Sequence, residues 1–192
     1  MDVILSNEGI DLQECDVLVT GFFQDERPLR GSSGLIDWRL NGTISRFLIE
    51  KRIAGDWKET TLIPSQGRIM SGMILLLGMG NVNEYSYLRL REIFPYLLET
   101  LMKLKTSHVC LSLPYEESYN VDCGKLAEVF IESIADWLGG DQYSLDKEWI
   151  KSFCLFFAEG EERFREILLG VQTAQSIVEG RFNVRIFAPS AS

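Results

Sequence analysis

The stretch "CDVLVTGFFQDERPLRGSSGLIDWRLNG", residues 15–42, decides the fold. It opens on an apolar run rich in Val and Leu without the strict alternation of a half-exposed strand, so it reads as a strand covered on both faces. A polar connection leads to Gly31-Ser32-Ser33-Gly34, and beyond it Ile36, Leu40, Ile44, Phe47 and Leu48 recur on one stripe of a helix. A buried strand followed by an amphipathic helix is the first half of a crossover unit, which needs a further strand beside the first.

The rest of the chain supplies those strands. "GMILLLGMG" (72–80), "HVCLSLP" (108–114) and "SFCLFFA" (152–158) have the same buried character, while "DVILS" (2–6) and "ETTLIPS" (59–65) are shorter and expected at the periphery. Between them lie three more helical patterns. Leu88, Ile93, Leu97, Leu101 and Leu104 mark one. Leu126, Val129, Phe130, Ile134 and Trp137 mark another, closed by Gly139-Gly140. Phe164, Ile167, Leu168, Val171 and Ala174 mark the last, which stops near Gly180. Alternation of this kind predicts an α/β fold, a three-layer α/β/α sandwich around a mixed, largely parallel sheet of about six strands. Residues 1–180 are expected to form the domain, with Gly139 to Asp146 as its loosest loop and 181–192 as an extended segment and tail. Trp38 and Trp137, each beside an apolar stripe, are expected to be at least partly buried.

With 192 residues, 46% of them apolar, the chain suffices for one substantial core. The formal charge of −9 disfavours nucleic acid as a partner. Charge is uneven, however: Arg27 to Lys58 holds seven basic and three acidic residues, leaving twelve basic against twenty-five acidic elsewhere. That island is the footprint to test for an anionic partner. The N-terminus has neither a basic n-region nor a long apolar run, so no membrane segment is indicated and a cytoplasmic location is expected. Cys15, Cys110, Cys123 and Cys154 are widely spaced and form no CxxC pair, which predicts reduced, buried thiols.

Two glycine-bounded turns are candidates for ligand binding. Gly31, Ser32, Ser33 and Gly34 open a helix, where backbone N–H groups can hold an anion, but the same serines suit an N-cap and Asp37 reads as a first-turn acid. The capping role is the favoured expectation. Gly78 and Gly80 end a strand at the side of the sheet where ligands bind in open α/β folds, although a GxG without a third glycine is no dinucleotide fingerprint and a tight turn is the favoured expectation. His108 begins a strand away from any nucleophile motif, so a structural role is expected. Tyr85, Tyr87, Tyr115 and Tyr119 fall in loops or near helix starts, positions from which they can line a crevice or shield the sheet. "FAEGEERF" (157–164) reads as a helix start with Glu161 and Glu162 in its first turn. No catalytic residue, metal site or cofactor is indicated by any hydrolase, phosphate-loop or zinc motif.

The run from Cys15 to Arg68, followed by "MILLLGMGN", resembles the N-terminal domain of the cytosol (leucine) aminopeptidase family, most specifically in "GLIDWRLNG" at Gly34 to Gly42. The resemblance continues more loosely through "LSLP" and "SFCLFF" to about Val171. It implies a fold similar to macro domains, α/β modules that can bind ADP-ribose. The macro pattern places asparagines after the first ligand strand, where this chain reads "GFFQDERPL". In the aminopeptidases, peptide hydrolysis belongs to a separate C-terminal domain with two metal ions and the signature Asn-Thr-Asp-Ala-Glu-Gly-Arg-Leu, a run that does not occur here. The resemblance therefore implies a non-catalytic interaction or regulatory role, with a protein partner or self-association. The alternatives are a macro-like module for a small anionic ligand of the nucleotide or ADP-ribose type, and the N-terminal part of a full-length metallo-aminopeptidase.

Overall fold

Val17–Phe22 forms a strand (β2) buried along its whole length, as a run apolar on both faces requires. In the computed structural model, which describes residues 1–115, 117–119, 121–139 and 147–188, it is an interior strand, third in a seven-stranded sheet. The other strands are β1 (Asp2–Ser6), β3 (Thr60–Pro64), β4 (Met73–Gly78), β5 (His108–Ser112), β6 (Cys154–Ala158) and β7 (Arg185–Phe187). Their order is β3-β4-β2-β5-β6-β1-β7. Only the β3–β4 pair is antiparallel among these neighbours, so the sheet is mixed and largely parallel. Six α-helices accompany it among the described residues: α1 (Gly31–Arg39), α2 (Thr43–Ile49), α3 (Tyr87–Lys103), α4 (Cys123–Gly139), α5 (Lys147–Ser152) and α6 (Glu161–Val178).

Alternate residues of each strand feed two cores. Val17, Val19, Leu75, Leu77, Val109 and Leu111 pack with α3, α4 and α6. Leu18, Phe22, Ile74, Leu76, Cys110 and Phe156 face the other way and pack with Ile36, Leu40 and Ile44 of the α1–α2 region. This is the expected three-layer sandwich, with one strand more than the sequence suggests. The extra strand comes from the late extended segment: Asp2 to Ile4 pair with Arg185 to Phe187. That pairing also moves β1 one place in from the periphery, whereas β3 is an edge strand, consistent with its Pro64.

The helix expected after the Gly-Ser-Ser-Gly turn is two helices. Asn41 and Gly42 both adopt left-handed backbone, at φ 54° and 71°, which ends α1 and turns the chain into α2. The apolar stripe survives the break, because Ile36, Leu40 and Ile44 remain buried on one side. Trp38 corrects an expectation, being 68% exposed. Two residues from Ile36, it points to the opposite side of the helix. Trp137 is buried, and so are the other stripe residues of α4. In α3 the buried stripe is Leu90, Ile93, Phe94, Leu97, Leu98 and Leu101, while Leu88 and Leu104, at its two ends, are exposed. All four cysteines are free and buried. Gly140, most of the loop that ends at Asp146 and the last four residues of the tail lie outside the described residues.

Candidate functional site

The connection leaving β2 runs through α1 on one face of the sheet, and the one leaving the adjacent β5 runs through α4 on the other. Between two such strands the loops part, and the carboxyl ends of β2 and β5 become the place where an open α/β sheet forms a ligand crevice. In this protein the α3 side of that crevice is packed shut. Phe23, Tyr85 and Tyr119, from the segments after β2, β4 and β5, form an edge-to-face trio with ring centroids 5.0, 5.3 and 6.2 Å apart. None is more than 6% exposed. The Tyr85 hydroxyl donates to the Pro114 carbonyl at 2.7 Å, and burial pushes its pKa well above the usual phenol value.

The loop after β2 stitches the three segments together. Glu26 accepts a short hydrogen bond from the Tyr119 hydroxyl, and Asp25 accepts from the Val82 amide at 2.9 Å. The Arg27 guanidinium donates to the carbonyls of Phe23 at 2.7 Å and Ala54 at 3.2 Å. The residues "QDER", which stand where macro domains place asparagines, thus act as ties across the crevice.

The α1 side carries a polar row. Thr20 of β2 and Ser112 of β5 are register partners and both are buried. The Thr20 hydroxyl shares a 3.0 Å hydrogen bond with that of Ser32. Just beyond the end of β6, the Glu159 carboxylate accepts from the Tyr115 hydroxyl at 2.5 Å, and Arg163 lies over the Tyr115 ring at 4.7 Å. Burial pushes the Glu159 carboxyl up to about 7, against the opposing pull of the Ser112 and Tyr115 hydroxyls and the Arg163 charge. The Ser112 hydroxyl faces this carboxylate but meets no acceptor at hydrogen-bonding geometry. None of Thr20, Ser112 and Glu159 stands out in the sequence. Thr20 and Ser112 are isolated polar residues inside apolar strands, and that is the only signal they give.

The predicted site residues separate into two groups. Gly31, Ser32, Ser33 and Gly34 form the first turn of α1, but the serines do not cap it. Arg30 occupies the N-cap position with no side-chain cap bond, the Ser33 hydroxyl donates back to the Arg30 carbonyl at 2.9 Å, and Ser32 turns to Thr20. The helix begins at Gly31, two residues earlier than a Ser32 cap requires, and Gly31 enters it with a left-handed φ of 55°, which glycine adopts without steric cost. Asp37 is correspondingly late in α1 and not a first-turn acid. Its carboxylate caps α2 instead, through the Ile44 and Ser45 amides at 2.7 and 3.1 Å.

Gly78 and Gly80 lie across β2 from that polar row and serve the packing of the loop at residues 55–59. The Gly78 amide donates to Glu59 at 2.7 Å and the Gly80 amide to Gly55 at 3.0 Å. A Cβ on Gly78 would stand 2.1 Å from the Asp56 carbonyl oxygen. Both amides are therefore satisfied within the chain. The basic island is also largely engaged. Arg27 is bound to carbonyls, Arg39 pairs with the buried Asp11 at 2.6 Å, Arg30 with Glu26 at 3.9 Å and Arg52 with Glu50 at 3.8 Å. His108 is exposed at the start of β5, 3.5 Å from Asp16. Among the described residues no group of three or more His, Cys, Asp or Glu side chains could hold a metal ion, and no helix is long and apolar enough to cross a membrane.

A three-layer sheet domain with its crevice at the ends of β2 and β5 is the architecture of macro domains. The structure resembles the macro domain of ganglioside induced differentiation associated protein 2 with a TM-score of 0.66 at 12% identity, over 95% of this chain and 86% of that one. A Trypanosoma brucei macrodomain in complex with ADP-ribose gives 0.61 at 14% identity, over 86% and 67%. A tomato leucine aminopeptidase variant gives 0.59 at 16% identity, over 94% of this chain but 37% of that one. Residues 19–136 match the cytosol aminopeptidase family, N-terminal domain, and the chain belongs to that family. A probable cytosol aminopeptidase of Pseudomonas syringae pv. tomato is 30% identical over 70% of this chain and 27% of its own length. Another, from a Sulfurihydrogenibium species, is 22% identical over 91% and 32%. The chain therefore spans about a third or less of the length of these relatives.

Proposed function

We propose that this chain is a non-catalytic interaction or regulatory domain of the cytosol aminopeptidase family, acting through a protein partner or self-association. The observation that carries this reading is the state of the crevice. Where a macro-type ligand would enter, Phe23, Tyr85 and Tyr119 fill the space and Asp25 and Glu26 tie it closed. Recognition is then left to the outer surface, where Trp38 stands over a groove of about 360 Å³ lined by Pro28, Leu29 and Asn41. Large exposed aromatics are characteristic of interface anchors. The residues matched are those of the family's N-terminal domain, and the family's cytosolic name supports a cytoplasmic location.

Sedimentation velocity of the purified chain, alone and mixed with cytosol aminopeptidase subunits, tests the proposal. A complex or self-association weakened by Trp38→Ala supports it; a monomer in every mixture overturns it. The second reading, a macro-like module for a nucleotide or ADP-ribose-type ligand, is favoured by the buried, unpartnered hydroxyl of Ser112, whose register partner Thr20 bonds Ser32 in the first turn of α1. ADP-ribose at millimolar concentration would then raise the melting temperature in a concentration-dependent way.

A further inference from the structure

β3 ends the sheet, and among the described residues it has a strand neighbour on one side only, β4. Its backbone divides accordingly. The Gly78 amide donates to the Glu59 carbonyl at 2.7 Å and the Ser65 amide to the Gly72 carbonyl at 3.2 Å, which fixes the phase of the antiparallel ladder. Residues 59, 61, 63 and 65 turn their N–H and C=O groups to β4, and Thr60, Leu62 and Pro64 turn theirs outward. The open edge therefore offers the N–H groups of Thr60 and Leu62 and the carbonyls of all three, Pro64 having no N–H.

Edge strands are commonly blunted by charge, by a bulge or by a cover. This one carries no charged residue between Glu59 and Arg68, and it pairs with β4 residue for residue, without a bulge. Leu62 is 38% exposed, and Pro64 is exposed as well. Because Leu62 is the register partner of Leu75, its side chain lies on the α3 face of the sheet. On that face the Thr60 hydroxyl shares a 3.4 Å hydrogen bond with that of Tyr96. β7, at the other edge, has only three residues.

We infer that β3 is a self-association surface whose partner is β3 of a second copy, running antiparallel about Leu62. The inference rests on the self-association branch of the proposed interaction role. The strand itself selects this occupant. In that register Leu62 faces Leu62 of the second copy and exchanges two hydrogen bonds with it, and the Thr60 N–H of each copy meets the Pro64 carbonyl of the other. The absent proline N–H then falls at the two ends of the ladder, where it forfeits one bond per copy. The whole strand is paired, and the exposed Leu62 side chains cover each other. The flanking turns are complementary too. Asp56 and Glu59, on either side of Lys58, precede β3, and Arg68 follows it, each turn closed by a backbone bond from Glu59 to Asp56 at 2.9 Å or from Arg68 to Ser65 at 3.1 Å. Antiparallel pairing sets the acidic start of one strand beside the basic end of the other. The contact is isologous, so it closes at two copies.

Sedimentation velocity of the native chain over a hundredfold range of concentration should show a monomer–dimer equilibrium. Hydrogen exchange read by NMR should show protection of the Thr60 and Leu62 amides that rises with concentration, while that of Thr61 and Ile63, already bonded to β4, stays constant. Leu62→Lys, which sets two like charges opposite each other, should weaken the dimer at least tenfold. Leu62→Pro, which removes an outward N–H and spares the bonds to β4, should do the same. Should either variant fail to fold, the exchange pattern of the wild-type chain decides. A monomer at every concentration overturns the inference and leaves the proposed role standing through aminopeptidase subunits. A dimer kept in Leu62→Lys but lost in Trp38→Ala also overturns it and assigns self-association to α1. So does a dimer whose Thr60 and Leu62 amides exchange as in the monomer.

Discussion

The carboxylate of Asp37 accepts the backbone amide of Ile44 at 2.7 Å, so a side chain late in α1 caps the helix that follows it. The Ser45 amide and hydroxyl bind the same carboxylate at 3.1 and 2.5 Å, and the group is buried. Removing it leaves three donors at the start of α2 without their acceptor. Asp37→Ala should therefore cost about 2–3 kcal/mol in urea denaturation, more than an exposed cap, and Asp37→Asn should cost less. An unchanged midpoint would contradict this role.

Glu159 predicts a pH dependence. Its carboxyl titrates near 7 in the folded chain against an ordinary 4.5, so between those values the folded state binds more protons than the unfolded one. Its contribution to stability is full below about 4.5, is lost as pH rises through 7, and is flat above that. Glu159→Gln, which keeps an acceptor for Tyr115, should remove this slope and gain on the order of 1–3 kcal/mol relative to wild type at pH 8. Thermal melts at pH 5 and pH 8 supply the comparison.

The aromatic trio makes the crevice a structural element. Phe23→Ala should cost about 3–5 kcal/mol, since the ring is fully buried and its neighbours Tyr85 and Tyr119 are held by their own hydroxyls. Tyr119→Phe keeps the ring and removes the tie to Glu26, and should cost about 1 kcal/mol. Equal effects of the two substitutions in denaturant melts would argue against closure by packing.

Trp38 should behave in the opposite way. With 68% of its surface exposed, Trp38→Ala should change stability by no more than about 0.5 kcal/mol. Under the proposed interaction role it should lower partner affinity or self-association by tenfold or more in sedimentation or titration calorimetry, the scale of an interface anchor.

Much of this protein is determined by its sequence alone. The runs at residues 17–22, 73–78, 108–112 and 154–158 are strands because they are apolar on both faces, and Leu126, Val129, Phe130, Ile134 and Trp137 share one side of a helix because of their spacing. Those signals are local, and "GLIDWRLNG" carries the family in the same nine residues. What periodicity reports, however, is burial, and burial does not name the neighbour. That Ser32 meets Thr20 and that Tyr115 meets Glu159 depends on strand order and register. Strand order also left the tail strand outside β1. The turn at Asn41-Gly42 brings the start of α2 back onto the carboxylate of Asp37, which stays within α1, because one left-handed pair of residues redirects a helix axis without disturbing the apolar stripe. The closure of the crevice belongs wholly to tertiary structure: Phe23, Tyr85 and Tyr119 come from three separate segments, and only the adjacency of β4, β2 and β5 brings their rings together.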